Sequence, residues 1–216
     1  MLVACWSAKG GCGTTVVAVS LASLFARAAG EALIADLAGD VPAVLGVPDA
    51  AGPGLGDWLA AGDSVPADAL ARLELVGPSG LRVLPSGSGV ERAAAGRGDV
   101  LAALLGADAR PVVADCGAMP SGARLAVAAN AGLSLLVLRP CYLALRRASA
   151  FPLRPSGVIL VEERGRNLTA ADVEAVLGVP VRATVEVHPA IAHAVDSGSL
   201  GAHLPRQLQR SLRHAA

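Results

Sequence analysis

The sequence predicts an α/β fold in which a mostly parallel β-sheet is covered by helices on both faces. Short apolar runs alternate with helical stretches along the chain, and apolar side chains make up 53% of its 216 residues. A sheet that is buried on both faces requires such apolar strands, and the helices between parallel strands cover those faces. We expect one domain over residues 1–216, because no linker-like stretch divides the chain.

The elements follow from the order of these runs. The first predicted strand, residues 2–6, ends in a Gly-rich turn that leads into a predicted helix, Thr14–Ala29. Four apolar residues of that helix share one face by their spacing, namely Val17, Leu21, Leu24 and Phe25. Further apolar runs predict strands at residues 32–35, 81–84, 111–114, 133–138, 158–161 and 181–185. Stretches rich in Gly, Pro and Ser predict surface loops at residues 47–56 and 85–98.

The composition argues against several classes of protein. Lys plus Arg and Asp plus Glu number 18 each, the formal net charge is +0, and aromatic residues make up 2%. These values argue against nonspecific DNA binding and against a stacking platform for single strands. With no apolar run of ~18 residues and no signal-peptide pattern, we expect a cytoplasmic protein. Metal-ligand spacing is absent from the four cysteines, which are Cys5, Cys12, Cys116 and Cys141.

The turn after the first predicted strand has the composition of a phosphate-binding loop. It runs from Ser7 to Thr15 and contains three glycines directly before the predicted helix. Glycines allow successive backbone N–H groups to converge on an anion, and the helix N-terminus adds partial positive charge. Lys9 adds a mobile cation, and Thr15 adds a hydroxyl of the kind that holds Mg²⁺. A plain Gly-rich turn is the alternative interpretation.

The stretch of residues 8–15 resembles the deviant P-loop of the MinD/ParA ATPases, which reads KGGxGK[ST]. Lys9 matches the family's signature lysine, Thr15 matches its Mg²⁺-binding hydroxyl, and Cys12 stands at its variable position. The matching glycines are Gly10, Gly11 and Gly13. Thr14 does not match, because the family has its phosphate-contacting lysine there. The resemblance implies a P-loop NTPase fold that binds ATP or ADP with Mg²⁺.

The resemblance continues along most of the chain. Asp36 matches an acid at the end of the family's second strand, and Asp115 matches the Walker B acid that orients Mg²⁺. Residues 54–59, 80–87, 112–117 and 178–180 are similar to further family segments in the same order. Residues 141–147 and 165–173 are most similar to actinobacterial septum-site-determining-like and TadZ/CpaE-like proteins, which are linked to Flp/Tad pilus assembly. That subgroup implies a homodimer and a protein partner in division or pilus machinery.

Three departures from the family pattern bear on catalysis. Thr14 replaces the lysine, and the second acid of the family's Asp-x-Asp motif is missing after Asp36, with Asp40 two residues beyond its position. Residues 161–164 also lack the family's adenine-reading Asn. Phosphoryl transfer depends on positioning and on charge neutralisation, so we expect little ATP hydrolysis. Lys9 and Asp40 are the weak catalytic candidates.

These observations predict a degenerate, nucleotide-binding positioning factor that acts by dimerisation and partner recognition, recruited to a pole or septum. Two alternatives stay open, an active partitioning-type ATPase and a nucleotide-independent scaffold. Residues 203–216 predict a basic amphipathic helix that either lies on an anionic membrane or docks on the sheet. Its lack of aromatic anchors favours docking. His188 and His193 lack a third ligand and are interpreted as surface or core histidines.

Overall fold

The computed structural model describes residues 1–48, 52–62, 68–87 and 95–215. One eight-stranded sheet forms the centre of this part of the chain. Its strands are β1 (Leu2–Ser7), β2 (Ala32–Asp36), β3 (Leu75–Val76), β4 (Leu81–Leu84), β5 (Val112–Ala118), β6 (Leu133–Leu138), β7 (Gly157–Glu162) and β8 (Val181–Glu186). They lie in the order β3-β4-β2-β5-β1-β6-β7-β8. All neighbouring strands are parallel except β3 and β4.

Helices cover both faces of the sheet. They are α1 (Thr14–Ala29), α2 (Val41–Leu45), α3 (Leu55–Ala60), α4 (Ala69–Arg72), α5 (Ala95–Ala107), α6 (Gly122–Asn130), α7 (Tyr142–Ser149), α8 (Ala170–Leu177), α9 (Pro189–Asp196) and α10 (Arg206–Leu212), with a 3₁₀ turn at Pro78–Gly80. Successive residues of β1 point to opposite faces, as the two-residue period of a strand requires. Val3 therefore packs with α1 and α10, and Ala4 packs with α5 and α6.

The predicted fold class is confirmed, and the differences are shifted element boundaries and one unpredicted short strand. The predicted helix Thr14–Ala29 and the strands at 81–84 and 133–138 match the observed elements. The strand predicted at residues 111–114 corresponds to β5, which continues to Ala118 because Asp115 pairs with both neighbouring strands. The short antiparallel strand β3 was not predicted.

The two predicted surface loops are only partly described. Residues 49–51 and 88–94 lie outside the described residues. Inside the predicted loops, α3 begins at Leu55 and α5 begins at Ala95, so the loop prediction was wrong at the end of each range. Both helices bury apolar side chains against the sheet, including Leu55 and Leu101.

The C-terminal segment is docked rather than free. Its predicted apolar anchors Leu204, Leu208 and Leu212 are 4%, 0% and 2% exposed, and they belong to the apolar cluster that contains α1. The apolar face of α10 is therefore covered by the protein itself. Among the described helices, none has the length and apolarity that a membrane crossing requires.

The sheet topology determines where functional side chains meet. Strands β2, β5, β1 and β6 are neighbours and parallel, so their carboxyl ends lie along one edge. Ligands of open α/β sheets bind outside that edge. The Gly-rich loop follows β1, Asp36 ends β2 and Arg139 follows β6, while Asp115 lies within β5 at the level of its register partner Asp36.

Candidate functional site

The loop between β1 and α1 presents an open, uncapped helix N-terminus. Gly11 and Gly13 have φ angles of 76° and 88°, in the left-handed region that favours glycine. A Cβ added to Gly10, Gly11 or Gly13 would meet no atom within 4 Å. No side chain caps the 16-residue helix α1, so its first N–H groups lack the usual side-chain acceptor. This geometry has the features of an anion-binding site.

Lys9 lies in this loop and is partly buried. It is the only lysine of the chain, since every other residue in the Lys plus Arg total is arginine. A chain that uses arginine at all its other basic positions has its single lysine at the phosphate-binding loop. The Ser7 hydroxyl donates a 3.0 Å hydrogen bond to the Lys9 carbonyl and braces the loop beneath it.

Asp36 ends β2 beside the loop and is fully buried. Its carboxylate accepts hydrogen bonds from the N–H groups of Ala38 at 3.1 Å, Gly39 at 2.6 Å and Val41 at 3.3 Å. Burial nevertheless raises the pKa of Asp36 to about 6, because the hydrogen bonds offset only part of the lost hydration.

Asp115 lies next to Asp36, as its register partner on β5. Its Oδ1 accepts a 3.0 Å hydrogen bond from the Gly117 N–H, while its buried Oδ2 has no hydrogen-bond partner among the residues that the structure describes. Burial raises the pKa of Asp115 to about 7, the charge of Asp36 adds to this, and the nearby Thr15 hydroxyl opposes it. An unsatisfied carboxylate oxygen beside a hydroxyl fits a hard divalent cation. These residues therefore fit Mg²⁺ bound with phosphate.

The other predicted site residues are placed around this centre. Thr14 is buried in the first turn of α1, and Cys12 is buried in the apolar cluster beneath the loop. Asp40 is exposed at the N-cap of α2, and its charge raises the pKa of both Asp36 and Asp115. The structure thus brings Lys9, the glycines, Thr15, Asp36 and Asp115 together, while Asp40 lies at their periphery. The roles assigned to these residues stay predictions.

A cleft of about 640 Å³ lies beyond the carboxyl ends of β7 and β8. It is lined by residues 162–164, the stretch that the sequence comparison aligned with the family's adenine-reading position. Glu163 forms a 2.8 Å ion pair with Arg166. The partly buried carboxylate of Glu162 forms no hydrogen bond or ion pair within the described chain, and it is the register partner of Glu186. The cleft therefore offers acceptor groups to a ligand at this edge of the sheet.

Two arginines near the carboxyl ends of the parallel strands were not identified as site residues from the sequence. The buried Nε atoms of Arg124 and Arg139 have no hydrogen-bond partner in the described ranges. Arg124 lies close to Gly117, and Arg139 lines a groove of about 230 Å³ together with Cys12 and Gly13. The available signal was the place of Arg139 directly after a predicted strand. Its burial depends on packing between distant elements and was not predictable locally.

His188 stands at the N-cap of α9, and its side chain caps that helix. Its Nδ1 accepts a 3.1 Å hydrogen bond from the Ala190 N–H at the start of α9. His193 is exposed in the same helix. Within the described ranges, no group of three or more His, Cys, Asp or Glu side chains is arranged to hold a metal ion.

Comparisons with known proteins add evidence from structure alone. No family model and no curated protein matches the chain. Among solved structures, a ParA family ATPase from Chlorobium tepidum is 21% identical with a TM-score of 0.81, covering 98% of this chain and 95% of that one. The septum site-determining protein MinD from Pyrococcus horikoshii, complexed with Mg-ADP, is 20% identical with a TM-score of 0.79, covering 100% and 94%. MinD in a MinC:MinD complex from Aquifex aeolicus is 18% identical with a TM-score of 0.74, covering 91% and 86%. The chain therefore has the fold of the MinD/ParA ATPases.

Proposed function

We propose that the chain is a MinD/ParA-like positioning factor that binds ATP or ADP with Mg²⁺ and hydrolyses ATP poorly. One observation carries the proposal: an open phosphate loop stands beside the Asp36–Asp115 pair, but buried Thr14 occupies the position of the phosphate lysine. A hydroxyl supplies no cation to the β- and γ-phosphates. The site therefore retains the groups for binding and lacks a main group for turnover.

The binding half rests on the loop and the two acids. Backbone N–H groups of residues 10–13 and the uncapped start of α1 would hold the phosphates. Thr15 and Asp115 would hold Mg²⁺, either directly or through its waters, and the ion would neutralise phosphate charge. The cleft beside β7 and β8 would receive the base, where Glu162 offers an acceptor to the adenine amino group.

The catalytic groups are incomplete in two places. The loop has Thr14 where the family has lysine, and no acid stands two residues after Asp36. The candidate substitute for that acid, Asp40, is exposed at the edge of the site. Removal of one preorganised charge-stabilising group typically slows a reaction by about 10²–10³-fold. We therefore expect the chain to act as a nucleotide-controlled binder rather than as an efficient ATPase.

The output of such a binder is recognition of other chains. In the family that the loop resembles, the signature lysine reaches the nucleotide of a second subunit, and Lys9 would take that role in a homodimer. One structural neighbour, MinD from Aquifex aeolicus, forms a complex with MinC. We propose a comparable protein partner in septum-site or Flp/Tad pilus machinery, and recruitment to a pole or septum.

Lysine acylation offers a direct test of nucleotide binding, because Lys9 is the only lysine. The chain is treated with an amine-selective acylating reagent with and without Mg-ATP, and peptide masses give the rate at Lys9. Slower acylation of Lys9 in the presence of Mg-ATP, with an unchanged acylation rate at the N-terminal amine, supports the proposal. Equal rates at Lys9, together with no change in thermal unfolding on addition of Mg-ATP, support the nucleotide-independent scaffold and contradict it.

Phosphate release separates the proposal from an active partitioning-type ATPase. Purified chain is incubated with saturating Mg-ATP beside a Lys9→Ala variant, and light scattering measures the mass with and without nucleotide. We expect phosphate release near background from both chains. We expect light scattering to detect a dimer of the original chain only when nucleotide is present. Turnover at ordinary ATPase rates that is lost in Lys9→Ala would contradict the proposal. Arg27→Ala is the matched control, since it removes one charge at the opposite end of α1.

A further inference from the structure

The phosphate loop has a charge deficit that the rest of the site must cover if it binds nucleotide. Thr14 is uncharged and buried, and Lys9 is the only basic side chain within the loop. Asp36 and Asp115 add negative charge on the neighbouring strands. A polyphosphate in this loop therefore needs a second cation from elsewhere in the chain.

Arg139 is placed to supply that cation. It directly follows β6, which pairs in parallel with β1, so Arg139 and the loop both lie at the carboxyl ends of neighbouring strands. The groove of about 230 Å³ beside the start of α1 is lined by Cys12, Gly13 and Arg139 together. Arg139 thus lines the same groove as the last residues of the phosphate loop.

The guanidinium group is also available. Its Nε is buried and has no hydrogen-bond partner in residues 1–48, 52–62, 68–87 and 95–215. Glu163 is close enough for the charge of Arg139 to lower its pKa, but that carboxylate is ion-paired at 2.8 Å with Arg166. Buried donors in proteins are nearly always satisfied, so an unsatisfied guanidinium N–H at a ligand edge points to a missing acceptor.

We propose that Arg139 binds the phosphates of the nucleotide in the same chain and takes over part of the role of the lysine that Thr14 replaces. This inference rests on the nucleotide site of the proposed function. Arginine suits the task, because its planar fork of N–H donors matches phosphate oxygens and stays charged. The proposed site can then bind nucleotide without a lysine at position 14, although a lysine there would strengthen binding.

A double-mutant cycle tests the assignment by calorimetric titration of Mg-ATP. Arg139→Gln keeps a polar amide but removes the charge and shortens the side chain, and we expect it to weaken binding by about 10–100-fold, the usual range for a charge-assisted hydrogen bond. The control Arg27→Ala should bind like the original chain. Thr14→Lys should restore affinity in the Arg139→Gln background and should raise it there by a larger factor than in the original chain. Thermal unfolding of each variant checks that it is folded.

Two outcomes separate a failure of the Arg139 assignment from a failure of the nucleotide site itself. If the original chain binds Mg-ATP and Arg139→Gln binds within about twofold of Arg27→Ala, the role of Arg139 is overturned while the proposed function stands. If neither the original chain nor Thr14→Lys binds Mg-ATP, the nucleotide site itself is overturned, and the inference falls with it. A loss of affinity in Arg139→Gln that Thr14→Lys reverses supports the assignment.

Discussion

Asp36 and Asp115 are register partners on the neighbouring parallel strands β2 and β5, so two buried carboxyl groups lie side by side beneath the phosphate loop. Burial raises the pKa of Asp36 to about 6 and that of Asp115 to about 7. The charge of Asp36 adds to the effect of burial on Asp115, and the charge of Asp40 raises the pKa of both acids. A buried pair of this kind is held at a cost to the folded chain, which is typical of a binding site.

The first prediction concerns the pH dependence of stability. Both pKa values are above the unfolded value of 3.8, so the folded chain binds protons that the unfolded chain releases between about pH 4 and pH 7. The contribution of these groups to the free energy of unfolding is therefore complete below pH 4 and is lost as the pH rises to 7. For one group the slope is at most about 1.4 kcal/mol per pH unit.

Denaturant unfolding of the ligand-free chain and of Asp115→Asn across this range measures that contribution. The difference in unfolding free energy between the two should move in favour of Asp115→Asn as the pH rises. Asp196→Asn, at an exposed position, is the control, and its free energy of unfolding should have the same pH dependence as that of the original chain. A difference that is independent of pH would show that Asp115 has an ordinary pKa.

The second prediction concerns Mg²⁺. Its ligands must be ionised, so the raised pKa of Asp115 predicts that Mg-ATP affinity increases, on the order of tenfold, between pH 6 and pH 8. A chelator should remove this increase. Calorimetric titrations at the two pH values, with Mg²⁺ and with excess chelator, give the measurement. An affinity that is unchanged by the chelator at pH 8 would mean that Asp115 holds no metal ion.

The third prediction compares two glycines of the loop. Gly13 has a φ of 88°, so Gly13→Ala should cost about 1–2 kcal/mol of stability by backbone strain, although open space surrounds its Cβ. At Gly10 the φ is not in the left-handed region and the space is equally open, so Gly10→Ala should cost well under 1 kcal/mol. Denaturant unfolding of both variants makes the comparison. Equal costs would contradict the observed loop conformation.

The fourth prediction concerns α10. Leu208 is fully buried in the cluster that contains α1, so Leu208→Ala should destabilise the chain by about 2–5 kcal/mol. Leu143→Ala removes a leucine that is 44% exposed, and its cost should be below 1 kcal/mol. Flotation with anionic vesicles should leave the original chain unbound. A Leu208→Ala variant that loses little stability, together with vesicle binding by the original chain, would contradict the docked position of α10.

The sequence predicted well where local pattern decides structure. The apolar period and the preceding glycines predicted α1 from Thr14 to Ala29, and apolar runs located the parallel strands. Prediction from the sequence failed where pairing between distant segments decides the structure. Strand β5 extends through Asp115 to Ala118 because β1 and β2 pair with it, and no property of these residues alone favours a strand there.

The candidate site divides in the same way. Lys9, the glycines, Thr15, Asp36 and Asp115 were identified individually, because motif spacing is local. The side-by-side placement of Asp36 and Asp115 depends on strand order, and the unsatisfied Nε of Arg139 depends on how the segments after β6 and β7 pack. Neither is visible in a linear pattern.

Calorimetric titration of Mg-ATP into the original chain and into Thr14→Lys decides whether the loop between β1 and α1 binds nucleotide. We expect one saturable site per chain in both, with an affinity about tenfold higher in Thr14→Lys, because lysine restores a phosphate contact to a loop that is otherwise formed. No saturable heat in either chain, or identical affinities in the two, would contradict the claim that this loop is a nucleotide site weakened at Thr14.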